Sequence, residues 1–180
     1  MRTLVIHPDD RSTDFLKIIY EGDIDATVIT GGITQEEVHK LIEEHDRIIM
    51  MGHGCPYGLF SVGKFKGKGL IIDKDTVPFL VGKENICIWC NADGFVKQFG
   101  VKGFYSGMFI SEVEEAWCCG VENVSKQQVT NSNITFSRLL GDNIKKTLRE
   151  IYENVSGGYG ELAKTCSIAN YNNKRLYLAE

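Results

Sequence analysis

The sequence predicts a three-layer α/β/α fold built around a mostly parallel, six-stranded sheet. Short apolar runs, typical of buried strands, alternate along the chain with segments whose apolar residues recur at helical spacing. Repeated strand–helix–strand units of this kind place their strands in parallel and cover both faces of the sheet with helices. The third run, Arg47–Met51, is almost wholly apolar, as expected for a strand buried on both faces.

Two strand–helix units precede this third strand. Residues 4–6 form the first predicted strand, and apolar residues within 15–19 follow at helical spacing. A second strand is predicted at residues 26–29. Thr34 followed three residues later by Glu37 is the signature of a capping box, so the second helix should begin directly after Thr34.

The rest of the chain continues the alternation and completes the sheet. The predicted elements are a hairpin at 59–62 and 69–72, a short helix at 76–80, a strand at 86–89, a short helix at 95–99, a strand at 104–110, helices at 112–119 and 133–154, and a strand at 175–178. The glycine-rich stretch 156–160 is interpreted as a loop. Because the sequence contains neither a linker nor an internal repeat, residues 1–180 are expected to form a single domain.

Composition and charge argue against several classes of function. The 180-residue chain has 43% hydrophobic residues and a net charge of −4, which argues against a dedicated nucleic-acid binder. Its densest basic cluster, Lys64, Lys66 and Lys68, is interpreted as the solvated edge of the hairpin. No apolar run approaches the roughly 20 residues of a membrane span, and no signal peptide is visible. The six irregularly spaced cysteines are expected to be reduced thiols in a cytoplasmic protein.

Reactive side chains follow two of the predicted strands. The third strand runs into Gly52-His53-Gly54, and the fourth is followed by Cys90. Ligands bind outside the carboxyl ends of the strands of an open parallel sheet, and neighbouring strands lie about 5 Å apart. His53 could therefore act as a base beside the Cys90 thiol, which is strongly nucleophilic once ionised. On this basis we expect Cys90 to react selectively with alkylating agents below about pH 7.

Backbone and acidic groups near these strand ends could complete a site. The N–H groups of Gly54 and Cys90 could together hold an oxyanion. Asp9 and Asp10 follow the first strand and should face the same edge of the sheet. There they could orient His53 or bind a ligand, or they could cap the helix that follows.

The two strand ends resemble the caspase-like fold, which is shared by caspases, gingipains, legumains, separases and CHAT-type proteases. The matching segments are residues 48–54, IIMMGHG, and residues 86–92, ICIWCNA. The order of elements also suits this fold: two strand–helix units, the His strand, a connection with a hairpin, the Cys strand and two more strands. The resemblance covers most of the chain, although only the two strand ends are specific. The chain departs from the usual pattern at Cys55 and at residues 91–94, where many members have a small residue and glycine close to the cysteine.

This resemblance implies a cysteine peptidase that acts on a peptide or protein substrate without a cofactor or a metal. His53 would be the general acid/base and Cys90 the nucleophile. Four carboxylates could attract a basic substrate side chain, or could form solvated helix faces. They are Asp93, Glu112, Glu114 and Glu115. The chain is small for a free-standing member, which is consistent with a homodimer, a protein partner or an inactive relative.

A second hypothesis retains the predicted α/β fold but gives the protein no catalytic activity. In this hypothesis the chain is an α/β module that binds a protein or a small ligand at the same edge of the sheet. A three-ligand zinc site of His53, Cys55 and Cys90 is a further alternative, although the spacing is no known zinc signature. A cysteine phosphatase is excluded because no Arg occurs between Cys90 and Gly100. Nucleotide binding is disfavoured because the first strand is not followed by G-x-G-x-x-G, and no Walker loop is present.

Overall fold

A computed structural model of the chain describes residues 1–22, 24–62, 65 and 69–180. The strands in these ranges are β1 Thr3–Ile6, β2 Ala26–Ile29, β3 Arg47–Met51, β4 Gly54–Cys55, β5 Gly58–Phe60, β6 Leu70–Ile72, β7 Glu84–Ile88, β8 Gly103–Ser106 and β9 Leu176–Ala179. The large sheet has the order β2-β1-β3-β7-β8-β9, and its neighbouring strands are parallel except for the pair β8–β9. The predicted six-stranded, mostly parallel sheet is therefore confirmed. β4, β5 and β6 form a small antiparallel sheet in the connection between β3 and β7.

Helices connect the strands of the large sheet, and a 3₁₀ helix at Arg11–Ile19 follows β1. The α-helices are α1 Gln35–Glu44, α2 Val77–Leu80, α3 Ala92–Phe99, α4 Val113–Cys118, α5 Lys126–Asn143, α6 Leu148–Ala163 and α7 Ser167–Asn173. The predicted capping box is present at α1, because Thr34 accepts from the Glu37 N–H while the Glu37 carboxylate accepts from the Thr34 N–H. Within the described ranges, none of these helices is both long and apolar enough to cross a membrane.

The large sheet separates two apolar layers. Successive side chains of a strand point to opposite faces, so Val5 belongs to one layer and its neighbour Leu4 to the other. The 3₁₀ helix, α5 and α6 cover the first face, where Phe136 is fully buried. α1 and α3 cover the second face, where Val38 and Phe95 are fully buried. This arrangement confirms the three-layer α/β/α architecture.

The structure corrects the helical prediction in the second half of the chain. The helix predicted at 133–154 is two helices, α5 and α6, which are separated at residues 144–147. The loop predicted at 156–160 lies inside α6. A Cβ at Gly158 would lie 2.7 Å from Cδ2 of Leu139 on α5, so glycine allows the two helices to pack closely at this point.

Smaller differences occur at other elements. The strand predicted at 104–110 ends at Ser106, and the sequence did not predict α7. The hairpin prediction is confirmed for the antiparallel pair β5–β6. Its predicted solvated edge, formed by Lys64, Lys66 and Lys68, lies outside the described residues.

Candidate active site at the ends of β3 and β7

The strands that lead to His53 and Cys90 are direct neighbours. β3 pairs in parallel with β7, and Met51 lies opposite Ile88. The N–H of Gly52 donates to the Ile88 carbonyl at 3.1 Å, so the pairing continues one residue beyond β3. His53 and Cys90 each lie two residues beyond the end of their strand, so both lie at the same edge of the sheet. The carboxyl ends of parallel strands form ligand sites at this edge.

His53 and Cys90 line one small cavity, whose other walls include Phe15, Leu16 and Phe109. Its volume is about 20 Å³, which is enough for about one water molecule. Within the part of the chain that the structure describes, no hydrogen bond joins the thiol to the imidazole; the thiol donates to the Phe109 carbonyl at 3.5 Å. The two reactive side chains therefore border a space for a single small group.

A chain of hydrogen bonds holds the His53 ring from the side of β1. The Oγ of Ser12 lies 2.6 Å from Nε2 of His53 and 2.6 Å from Oδ1 of Asp10. The Ser12 N–H also donates to Oδ1 of Asp10, at 2.9 Å, and Asp10 is the N-cap of the 3₁₀ helix. The hydrogen bonds from the Ser12 side chain and backbone lower the pKa of Asp10 below its ordinary value, so this carboxylate is ionised at neutral pH.

The hydrogen bonds from Asp10 through Ser12 determine the tautomer of neutral His53. A serine hydroxyl has one proton and an ionised carboxylate can only accept, so the Ser12 hydroxyl donates to Asp10. The Ser12 oxygen then accepts from His53, which requires a proton on Nε2. Nδ1 is consequently the ring nitrogen that can take up a further proton. Asp10 thus orients His53, as considered from the sequence, but it acts through Ser12.

Cys90 lies in a tight turn between β7 and α3. The N–H of Ala92 donates to the Trp89 carbonyl at 3.2 Å, and Asn91 has a left-handed backbone with φ 63° and ψ 31°. The Ser106 hydroxyl donates to the same Trp89 carbonyl at 3.0 Å. Positive φ in a residue other than glycine costs about 1–3 kcal/mol and is concentrated at functional sites. The turn therefore holds the Cys90 backbone in a defined position at the edge of the sheet.

Gly54 packs directly on Trp89, because a Cβ at this position would lie 2.2 Å from Cδ1 of the indole.

The Phe60 N–H donates to the His53 carbonyl at 2.9 Å, so His53 and Phe60 form a hydrogen-bonded pair of the antiparallel ladder. The next pair, Gly54 and Leu59, is then a non-hydrogen-bonded pair, and the Gly54 N–H points away from β5. The ladder thus leaves this N–H for another partner, as the predicted oxyanion role requires.

Burial raises the pKa of the Cys90 thiol from 9.0 to about 11, and the Glu115 carboxylate adds to this effect. The thiol is therefore protonated at neutral pH in the resting protein. A largely apolar environment and a nearby carboxylate both disfavour the thiolate, which argues against the expectation that Cys90 reacts selectively below about pH 7.

The cavity wall formed by Phe109 and Ser111 is fixed from two sides. The Glu115 carboxylate accepts from the N–H of Ser111 at 2.7 Å and from its hydroxyl at 3.0 Å. Asn172 of α7, which is fully buried, accepts from the Ile110 N–H at 2.7 Å and donates to the Ile110 carbonyl at 2.9 Å. Both backbone groups of Ile110 are thus satisfied by one side chain, which holds the residues on either side of it in place.

The remaining predicted acidic residues have separate environments. The Asp9 carboxylate lies 3.7 Å from Nζ of Lys17, and the Asp93 carboxylate lies 2.9 Å from Nζ of Lys97 in the same helix. The Asp93 ion pair matches the alternative interpretation of a helix-face charge. Glu112 and Glu114, in contrast, line a second cavity that shares the Ser111 wall with the first.

Sequence reasoning missed two residues of the site. Ser12 was given no role in the site, although its position just after β1 puts it at the same edge of the sheet as His53. Asn133 lies inside α5 and reaches the Ser111 carbonyl at 2.9 Å. No local pattern distinguishes Asn133 from a surface asparagine, so only the packing of α5 reveals it.

The described part of the chain contains no group of three His, Cys, Asp or Glu side chains that could hold a metal ion, so the zinc alternative of His53, Cys55 and Cys90 has no support in the geometry. All six cysteines are free thiols. Comparison with models of known families and with curated proteins found no match to this chain. The function of the site is therefore inferred from its own residues.

Proposed function

We propose that the protein is a Cys/His hydrolase of the caspase-like type that cleaves peptide bonds, with Cys90 as nucleophile and His53 as general acid/base. The observation that carries this proposal is the small cavity lined by both side chains, with Nδ1 of His53 available to accept a proton. The neighbouring positions of the His strand and the Cys strand, and the resemblance of their ends to the caspase-like fold, support it.

In the proposed reaction the substrate carbonyl enters the cavity beside Cys90. The thiol proton passes to Nδ1 of His53 while Sγ forms a bond to the carbonyl carbon, and the N–H groups of Gly54 and Cys90 stabilise the oxyanion. The C–N bond then breaks, and His53 gives its proton to the leaving amine, so that a thioester remains on Cys90. His53 next takes a proton from a water molecule while the water oxygen bonds to the thioester carbon. The C–S bond then breaks, the carboxylic acid leaves, and His53 returns the proton to Sγ, which regenerates the thiol.

Because the Cys90 thiol is neutral in the resting protein, it must lose its proton during the reaction itself. With a pKa of about 11, Cys90 is not a standing thiolate, so its deprotonation accompanies attack on the carbonyl. The imidazolium that forms on His53 donates from Nε2 to Ser12, whose hydroxyl donates to the Asp10 carboxylate. The negative charge of Asp10 stabilises this imidazolium, as the carboxylate of a catalytic triad does.

Hydrolysis of a library of peptidyl coumarin amides, varied at the residue before the coumarin, tests the proposal. Cys90→Ala and His53→Ala should each lower kcat/KM by several orders of magnitude. Cys118→Ala removes an exposed thiol and His39→Gln changes a histidine of α1, so both control variants should retain the wild-type rate. Retention of the wild-type rate by Cys90→Ala would rule out the proposed nucleophile.

Ser12→Ala tests the hydrogen-bond chain that positions His53. Loss of the Ser12 hydroxyl should lower kcat by up to about 100-fold, with little change in KM, because the base is misoriented while the substrate contacts remain. ¹⁵N NMR of His53 should also show loss of the Nε2–H tautomer. An unchanged tautomer would contradict the role assigned to Ser12.

The alternative of a non-catalytic binding module is favoured by one observation, the neutral thiol without a hydrogen bond to His53 among the described residues. This alternative predicts that no coumarin is released from any member of the library by the wild-type protein. It also predicts that peptides bind equally to the wild type and to Cys90→Ala. Turnover that depends on Cys90 would exclude it.

A further inference from the structure

A second histidine, His7, lies at the end of β1 beside the candidate active site. It directly follows Ile6, the last residue of β1, and it is only 1% exposed. Its N–H donates to the Ile29 carbonyl at 2.9 Å, which continues the pairing of β1 with β2. A Cβ at Gly52 would lie 3.9 Å from Cδ2 of His7, so the imidazole lies beside the residue that precedes His53.

Both ring nitrogens of His7 have partners at the 3₁₀ helix. Nδ1 lies 2.9 Å from the Tyr20 hydroxyl, and Nε2 lies 3.0 Å from Oγ1 of Thr13. Thr13 donates to the Asp10 carbonyl from its hydroxyl at 2.9 Å and from its N–H at 3.0 Å. We use the name His7 relay for the residues Tyr20, His7, Thr13 and Asp10. Because Asp10 is the N-cap of the 3₁₀ helix and Tyr20 is its C-cap, the relay holds both ends of this helix at the end of β1.

The hydrogen bonds of the His7 relay all point toward Asp10. The Thr13 hydroxyl has one proton, which it donates to the Asp10 carbonyl, so its oxygen accepts from Nε2–H of His7. Nδ1 of His7 is then an acceptor, and the Tyr20 hydroxyl donates to it. Burial lowers the pKa of His7 to about 4 and raises the pKa of Tyr20 to about 12. At neutral pH the imidazole is therefore uncharged and the phenol keeps its proton, as these hydrogen bonds require.

Two histidines are thereby linked to the same residue. His53 reaches the Asp10 carboxylate through Ser12, whereas His7 reaches the Asp10 carbonyl through Thr13. Ser12 lies between Asp10 and Thr13 in the chain, so the His7 relay holds residues on both sides of it. The 3₁₀ helix has nine residues, and runs longer than about four are uncommon because their hydrogen-bond geometry is poor. The helix therefore depends on contacts such as this relay to keep Ser12 in place.

We propose that His7 is a positioning residue for His53; this rests on the proposed function. The His7 relay fixes the Asp10 backbone, so that the Ser12 hydroxyl stays within hydrogen-bond distance of Nε2 of His53. A displacement of about 1 Å in a group that orients a catalytic base can lower the rate about 100-fold. If His7 only filled space in the core, its loss would change stability without changing the orientation of His53.

Two amide substitutions at His7 separate the two ends of the relay. The glutamine amide lies as many bonds from Cβ as Nε2 does, so His7→Gln can still donate to Thr13. The asparagine amide lies as many bonds from Cβ as Nδ1 does, so His7→Asn keeps only the contact with Tyr20. With a cleaved peptidyl coumarin amide, His7→Asn should lower kcat at least about tenfold with little change in KM, and His7→Gln should stay within about threefold of the wild type. Equal kcat values in the two variants, or the reverse order, would overturn the proposal.

A double-mutant cycle shows whether His7 acts through Ser12. Ser12→Ala removes the hydroxyl that the relay holds in place, so His7→Asn should lower kcat by less than about twofold in that background. The same loss in both backgrounds would indicate a general effect on the fold and would overturn the proposal. His45→Asn is the matched control, because His45 is also buried and bonded to a threonine, Thr27. It lies before the start of β3, at the opposite edge of the sheet, so this variant should retain the wild-type kcat.

Substitution of Thr13 breaks the His7 relay at a second point and does not require His7→Asn to fold. Valine has nearly the shape of threonine but lacks the hydroxyl, whereas serine keeps the hydroxyl. Thr13→Val should therefore lower kcat at least about tenfold, and Thr13→Ser should stay within about threefold of the wild type. Equal kcat values in these two variants would contradict the relay.

¹⁵N NMR of His53 tests the positioning without turnover and so separates this proposal from the proposed function. His7→Asn should reduce the share of the Nε2–H tautomer of neutral His53, whereas His7→Gln and His45→Asn should retain it. If this pattern is found but no peptide is hydrolysed, the hydrolase fails and the role of His7 stands. If the tautomer is unchanged in His7→Asn, the role of His7 is overturned, and hydrolysis that depends on Cys90 would still support the hydrolase.

Discussion

Alkylation of Cys90 across pH is the most direct measurement of the chemistry that the site can perform. The Cys90 pKa of about 11, against an ordinary 9.0, corresponds to about a 100-fold smaller thiolate fraction at neutral pH. At about pH 7 only about one thiol in 10⁴ is ionised. We therefore expect the rate of reaction with iodoacetamide to rise about tenfold per pH unit between about pH 7 and 10.

The structure also specifies a substitution that should change this profile. Glu115→Gln removes the negative charge that raises the Cys90 pKa, while the glutamine oxygen can still accept from Ser111. Alkylation of Cys90 should then be faster at every pH below the new pKa. Burial is the larger cause and is unchanged, so the pKa should stay above its ordinary value.

Mass spectrometry of tryptic peptides resolves the six thiols. Cleavage after Lys83 and Lys97 releases residues 84–97, which contain Cys90 and the fully buried Cys87. Cys87 serves as an internal control for global unfolding, since it should react only when the protein opens. The same measurement in urea gives the rate for the unfolded chain. A folded-state rate for Cys90 that exceeds the unfolded rate at about pH 7, or a plateau near neutral pH, would refute a thiol neutralised by burial.

Three further predictions concern stability, and urea unfolding measures each of them. Gly54→Ala should cost about 1–3 kcal/mol or more, since its Cβ would lie 2.2 Å from Cδ1 of Trp89; an unchanged midpoint would show that the indole moves freely. Asn172→Leu should cost about 3 kcal/mol or more, because it leaves both backbone groups of Ile110 buried and unpaired; a cost below about 1 kcal/mol would contradict this role. Burial lowers the pKa of His7 from 6.5 to about 4, so the stability present above about pH 6.5 should fall by about 3 kcal/mol as the pH drops to 4. This pH dependence should disappear in His7→Asn, and its persistence there would assign it to other groups.

Short sequence motifs, such as capping boxes, predicted the helices and strands whose ends these motifs determine. The strand at residues 26–29 has the predicted bounds, and the capping box of Thr34 and Glu37 fixes the start of α1. The same signature, Thr147 with Glu150, is present in the sequence and begins α6. It separates α5 from α6, so attention to this pattern alone would have prevented the prediction of one continuous helix.

Elements determined by tertiary packing could not be predicted in this way. The glycines of residues 156–160 have low helical propensity, which favours a loop. They are helical because Gly158 packs on α5 at Leu139 and the adjacent Tyr159 is fully buried. Packing against neighbouring helices therefore overrides the local preference of this segment.

The candidate site was predictable to the extent that it follows from strand ends. His53 and Cys90 come together because parallel strands end at one edge, a rule that needs only the order of elements. The contact of Ser12 with His53 spans 41 residues, and Asn133 reaches Ser111 from the middle of a helix. The ionisation of Cys90 depends on burial and on Glu115, which no local pattern encodes.

The clamp that Asn172 places on Ile110 has a consequence for the life of the newly made polypeptide. These hydrogen bonds join residues 62 positions apart, so the wall at Phe109 and Ser111 is held from both sides only after α7 has left the ribosome. A nascent chain that already displays His53 and Cys90 still lacks this support. The cavity wall is therefore complete only once α7 has docked on Ile110.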